Sequence, residues 1–182
     1  MGRRIDTQRL VLRQWNDADL EAFAGLHADD AVMGDLGGPM TRQESAGKLA
    51  RYRQAWERFG YGRWCVTDRA DRFLGYVGVN RQADDTPLGE HDDIGWRLNR
   101  DVWGKGYAVE AATAALRDVF ERCDLSEVLA YTAPDNMASQ RVIAKLPFER
   151  RASLDFSVPW PPVGMWHGLV WATNPGLASG MS

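Results

Sequence analysis

Two glycines flank Lys105 immediately before an alanine-rich run, in "WGKGYAVEAATAAL" (residues 103–116). A glycine inside a regular element costs about 0.5–1 kcal/mol relative to alanine, because it loses the most backbone freedom on folding. The run that follows carries Val109, Ala112, Leu116, Val119 and Phe120 on one helical face. The segment before it, "DIGWRLN", has the length and composition of a strand. A strand, a bare-backbone turn and an amphipathic helix in succession point to a helix that crosses a sheet, with the next strand parallel to the first.

The remaining segments fit around that unit. "RLVLRQW" alternates as a first strand, with Leu10 and Leu12 on one face. Asp17 can cap a helix carrying Leu20, Phe23, Ala24 and His27, and "DDAVMGDLGGPM" reads as a loop. "TRQE" is a capping box in which Thr41 and Glu44 satisfy each other's amides. The helix behind it presents Leu49, Tyr52, Trp56 and Phe59 as one stripe and stops at Gly60 and Gly62. "GRWCVT" and "FLGYVGV" form a hairpin, and "EVLAYTA" is the strand after the crossing helix. "PDNMASQRVIAKL" is a second capped helix. "ERRASLDF" and "MWHGLVWAT" are closing strands around a proline-rich loop, "SVPWPP". The order is β-α-α-β-β-β-α-β-α-β-β, an α/β fold with a central twisted mixed sheet flanked by helices.

Composition bounds the function. The 182 residues suit one domain, residues 1–182, with a core over about 7–172 and a short flexible C-terminal tail. A net charge of −3 argues against a generally basic surface, and so against nucleic acid as a partner. No apolar run approaches the roughly 20 residues of a membrane span. The N-terminus has no apolar stretch of the kind a secretory signal needs. Cys65 and Cys123 have no CxxC spacing and read as free thiols. The expectation is a cytoplasmic protein without metal or membrane partner, monomer or homodimer.

The glycine turn has two readings. The first amides of a helix lack intrahelical acceptors and sit at the positive end of its dipole, so glycines there let an anion approach. The turn could equally serve to pack helix on strand. It is neither a Walker loop nor a dinucleotide fingerprint, since no GK[ST] follows and the third glycine position is Val109. About thirty residues on, Asn136 and Ser139 open another helix just after a strand. Both are good caps, but they also share a face at the same sheet edge. Two such openings side by side make a cleft.

Taken together, "TQRLVLRQW", "WGKGYAVEA", "NMASQRVIAKL" and the element order resemble the GNAT superfamily of acetyl-CoA-dependent N-acetyltransferases, in particular its RimJ/RimL-like branch, over about residues 7–171. The resemblance implies acetyl-CoA as cosubstrate and an amine as acceptor. It implies that the amides of Gly104, Lys105, Gly106, Tyr107 and Ala108 hold the pyrophosphate. Trp96, Arg97 and Leu98 would pair with the pantetheine arm where the strand splays from its neighbour. Asn136 would bond the arm, and Ser139 would lie near the sulfur. Two positions depart from the family pattern: Asp101 replaces the usual Arg or Gln, and Pro147 replaces the glycine of "KLGF".

Acetyl transfer needs a neutral amine, a polarised carbonyl and a departing thiolate. Asp93 is the preferred base, with Asp92 on the opposite face and His91 and His167 as weaker candidates. A strand amide near Leu98 is the candidate oxyanion donor. Ser139 or Tyr131 could protonate the sulfur. The acceptor side is assigned to the loop 34–39, Trp64 and the loop around Trp160. The acidic "DDAVMGD" and "ADD" stretches could attract a cationic amine. The alternative is a non-catalytic acyl-CoA-binding module on the same fold.

Overall fold

Alternating apolar residues at 10, 12, 64, 66, 77, 79 and 94 give the middle of the sheet one face that must be covered. The computed structural model, which describes residues 2–83, 86–160 and 164–180, shows what covers it. Among the described residues nine strands form one sheet. They are β1 (Arg4–Asp6), β2 (Leu10–Arg13), β3 (Arg63–Asp68), β4 (Phe73–Gln82), β5 (His91–Leu98), β6 (Val128–Thr132), β7 (Glu149–Arg150), β8 (Phe156–Trp160) and β9 (Gly164–Thr173). The helices are α1 (Leu20–His27), α2 (Asp30–Met33), α3 (Arg42–Phe59), α4 (Tyr107–Arg122), α5 (Met137–Ile143) and α6 (Pro175–Ala178). The sheet runs β1-β2-β3-β4-β5-β6-β9-β7, with β8 on β9. Every pairing is antiparallel except β5–β6. The mixed α/β fold and the parallel crossover are as the sequence indicates.

Helix α4 lies on the face made by Val66, Val77 and Val79, burying Ala111, Ala112, Ala115, Leu116 and Val119. Three alanines in that set let the helix approach the strands closely, while full burial of Leu116 alone contributes about 1.5–3 kcal/mol. The other face carries Cys65 and Tyr76, which pack with Trp15, Phe23, Leu26 and Leu49 beneath α1 and α3. The Thr41–Glu44 capping box is present, and α3 ends at Gly60 with φ +75°. Among the described residues no helix is long and apolar enough to cross a membrane. Cys65 and Cys123 are both free.

Five local readings change. "ERRASLDF" is not one strand but β7 at Glu149–Arg150, a 3-10 turn at Ala152–Leu154 and the start of β8 at Phe156. Asn16, not Asp17, caps the start of the first helical segment, and a short 3-10 turn at Asp17–Asp19 precedes α1. The "DDAVMGDLGGPM" segment is not all loop: Asp29 caps α2, and a 3-10 turn follows at Gly34–Leu36. β1 is an added edge strand, paired with β2. The proline-rich segment is strand up to Trp160, because β9 is long enough to pair with it from Phe156. The rest of that loop, Pro161 and Pro162, and the acidic Asp84 and Asp85 lie outside the described residues.

Pro147 has a specific structural consequence. With φ fixed and no amide to donate, it cannot form a left-handed helix stop. The chain leaves α5 through tight turns instead, Lys145 N to Val142 O at 3.0 Å and Leu146 N to Ile143 O at 3.0 Å. Phe148 N then donates to Leu146 O at 2.8 Å across the proline, a three-residue turn that needs no positive φ.

Candidate active site

Strands β5 and β6 share one paired position, Asp93 with Leu129, and then separate. In the β4–β5 ladder Asn99 N donates to Leu74 O at 2.8 Å. Backbone groups alternate sides along an antiparallel strand, so the amides of Trp96 and Leu98 point away from β4, toward the side that β6 has left. Leu98 O is taken there by Trp103 Nε1 at 2.8 Å. The gap is the floor of a cleft of about 640 Å3.

The cleft brings together Trp96, Arg97, Leu98, Gly104, Gly106, Tyr107, Ala108, Asn136 and Ser139. Gly104 and Gly106 have φ of +72° and +79°, a region that β-carbons disfavour. A Cβ on Gly104 would meet nothing within 4 Å, so its backbone angle alone demands glycine, and the space beside it is open. Unlike α3 and α5, α4 has no side-chain cap at its N-terminus. Its first amides precede the bond from Glu110 N to Gly106 O at 3.1 Å and are unpaired within the helix. The arrangement suits an anion. Lys105 is not part of the lining; its carbonyl accepts from Arg9 Nη1 at 2.8 Å. Asp101 does not line the cleft; it pairs with Arg72 at 2.7 Å.

At the opposite wall, Asn136 Oδ1 caps α5 by accepting from Ser139 N at 3.0 Å. Its Nδ2 donates to Asp35 Oδ2 at 2.9 Å. Asp35 also accepts from Arg97 Nη1 at 2.7 Å, and Arg97 further donates to Val32 O. Asp35 therefore links β5, α5 and the segment after α2. The sequence gives no sign of this, because the three residues come from distant parts of the chain.

Asp93 is placed differently from the expected base. It is buried and does not line the cleft. Both its oxygens accept from Arg63 Nη2 at 2.8 Å, and Oδ1 also accepts from Gln82 at 2.6 Å. Burial works against the Arg63 charge, but the Asp93 carboxylate, together with nearby tyrosines, holds the guanidinium above its ordinary pKa. Arg63 also donates to Gly78 O, and to Asp93 O at 3.2 Å. A Cβ on Gly95 would stand 3.0 Å from the guanidinium, so Gly95 makes room for it. Asp92, on the other face as alternation requires, accepts from Tyr61 at 2.5 Å and from Arg81 at 2.7 Å.

Tyr131, His91, His167 and Trp64 do not line the cleft. Tyr131 packs edge-on against His91, Phe156 and Trp166. His91 is buried and bonds Gly89 O at 2.7 Å, while His167 pairs with Ser157 at 2.7 Å. Trp64 is a core residue 4.3 Å from the Trp56 ring, which removes it from the acceptor wall. Gly34 does line the cleft, and Trp160 Nε1 would stand 3.0 Å from a Cβ on Gly37, so the glycine loop and β8 meet.

Known proteins resemble the chain in both sequence and shape. The family model described as an acetyltransferase (GNAT) domain matches residues 9–149. A Bacillus subtilis protein, the uncharacterized N-acetyltransferase YnaD, is 27% identical over 158 residues, covering 85% of this chain and 88% of that one. The crystal structure of an acetyltransferase from Agrobacterium tumefaciens superposes with a TM-score of 0.75 at 25% identity, covering 94% of each chain. The ribosomal L7/L12 alpha-N-protein acetyltransferase RimL, in complex with coenzyme A, shares the fold with a TM-score of 0.75 at 16% identity, over 94% of this chain and 98% of that one. The chain belongs to the GNAT family of acetyltransferases, as an N-acetyltransferase that shares its fold with RimL.

Proposed function

We propose that this protein moves the acetyl group of acetyl-CoA directly to a primary amine, of a protein N-terminus or a small molecule. The observation that carries the proposal is the cleft between β5 and β6, with uncapped helix amides at one end and Asn136 and Ser139 at the other. The pyrophosphate lies on the amides of Gly104, Gly106, Tyr107 and Ala108, and the pantetheine arm runs along β5 and pairs with the outward amide of Trp96. Asn136 exchanges Asp35 for the coenzyme arm. The amine enters from the side of Gly34 and Asp35, where the acidic loop favours a cation.

The amine, neutral after giving one proton to solvent, attacks the thioester carbonyl, and the new N–C bond forms as the C–S bond breaks. The proton the nitrogen then sheds passes to the leaving thiolate, directly or by relay through a hydroxyl. The Leu98 amide faces the carbonyl oxygen as charge develops on it. Of the two candidate proton donors to the leaving thiolate, Ser139 lines the cleft and Tyr131 does not. Asp93, already engaged with Arg63, acts by holding β5 at the splay rather than by taking the amine's proton. Alignment of amine and thioester supplies most of the acceleration, since positioning can be worth several kcal/mol.

Thiol release from acetyl-CoA across a panel of peptides, polyamines and amino acids tests the reading. Turnover on at least one amine is expected, and Ser139→Ala should slow it modestly. Tight coenzyme binding with no turnover on any amine would instead favour an acyl-CoA-binding module.

A further inference from the structure

The glycine turn is held from outside the cleft. Glu110, one turn into α4, accepts from Thr7 Oγ1 at 2.6 Å and Arg9 N at 2.8 Å on one oxygen, and from Arg9 Nε at 2.6 Å on the other. Arg9 Nη1 reaches on to Lys105 O at 2.8 Å. The guanidinium lies over the Tyr107 ring, 4.6 Å from its centroid, and a Cβ on Gly106 would stand 3.4 Å from Nη2. Burial alone would raise the Glu110 carboxyl, yet the bonds from Thr7 and Arg9 hold it below its ordinary range. The link joins the β1–β2 turn to a segment about a hundred residues away.

The peptide plane gives this contact a consequence. In a trans peptide the C=O of one residue and the N–H of the next point to opposite sides. A Lys105 carbonyl held toward Arg9 therefore turns the Gly106 N–H the other way, to the side where Gly106 lines the cleft. Two glycines with positive φ would otherwise leave that plane free to rotate.

We infer that Arg9 and Glu110 are positioning residues of the coenzyme site, which aim the Gly106 amide at the pyrophosphate by fixing the Lys105 carbonyl. The inference rests on the acetyl-CoA reading above. Neither residue touches the coenzyme; the clamp determines the geometry of the amides that do.

Calorimetric titration of wild type, Arg9→Ala, Glu110→Gln and the milder Thr7→Val with CoA, and with pantetheine, which lacks the phosphates, tests this. Arg9→Ala and Glu110→Gln should each weaken CoA binding about tenfold, and Thr7→Val about threefold, the scale of one or two lost hydrogen bonds. Pantetheine affinity should stay within about twofold of wild type by the same scale. In turnover, KM for acetyl-CoA should rise with kcat nearly unchanged. Glu110→Gln binding CoA as wild type does, with Arg9→Ala alone weakened, would mean that Arg9 contacts phosphate directly and would overturn the clamp. Equal losses for CoA and pantetheine would also overturn it, as general damage to the fold. Wild-type protein that fails to bind CoA would sink the acetyl-CoA reading and this inference with it, whereas tight wild-type binding shared by all variants would sink the clamp alone.

Discussion

The side-chain amide of Asn136 donates to the carboxylate of Asp35 at 2.9 Å, across 101 positions of sequence. In the proposed reading the coenzyme arm displaces Asp35 from this side chain. Replacing Asp35 with alanine frees the Asn136 amide, so CoA should bind about threefold to tenfold more tightly, the net worth of one ordinary hydrogen bond. Isothermal titration reads this directly. Unchanged or weaker binding would show that Asp35 supports the coenzyme-binding form rather than competing with it.

Gly104 has open space around its missing side chain but a φ of +72°. Alanine there strains the backbone by about 1–2 kcal/mol without a steric clash. The turn can relieve the strain only by rotating its amides, so CoA affinity should fall about tenfold. The melting temperature should drop by only a few degrees, as expected for a cost of this size in a chain of this length. Loss of affinity matched by wholesale unfolding would contradict a local role.

Asp93 and Arg63 form a buried pair, and removing one member leaves the other charge without compensation. Asp93→Asn should destabilise the fold by about 3–5 kcal/mol, seen as a lower urea midpoint. Coenzyme affinity in the surviving folded fraction should change less than stability does. A fully stable variant with abolished turnover would restore Asp93 as the base.

His27 is fully buried, bonded through Nδ1 to Phe23 O at 2.9 Å and near Lys48 and Tyr76. Burial and the Lys48 charge push its pKa down to about 4 from 6.5. The folded state thus holds the neutral ring while the unfolded chain takes up a proton more readily. Stability from this group is fully present above pH 6.5 and falls as pH drops toward 4, by at most about 3 kcal/mol. Urea unfolding at pH 7 and pH 4.5 should show this loss in wild type and a smaller one in His27→Gln. Equal pH dependence in both would remove His27 as the cause.

Much of the fold was legible because its signals are local. The Thr41–Glu44 box, the α3 stripe and the strand–turn–helix of residues 93–116 each lie within one or two turns or strands, where propensity and periodicity act. The segment 29–40 reads as loop in the sequence because four-residue α2 and the 3-10 turn after it are too short to show a period. The β8 strand is masked in the sequence by Pro159, which an edge strand tolerates and a central one does not.

The sequence alone determined which residues could offer bare amides and polar caps: Gly104, Gly106, Asn136 and Ser139 are chosen for backbone angles and short-range bonds that hold in any surroundings. Only the tertiary structure decided what the charged residues do. Asp93 looks like a strand-end carboxylate until Arg63, thirty residues earlier, is seen against it. Arg9 and Glu110, or Asp35 and Asn136, have no relation until the sheet brings their strands and helices together. A charge acts through whatever lies within a few ångströms of it, and for these residues that neighbour is set by folding rather than by adjacency in the chain.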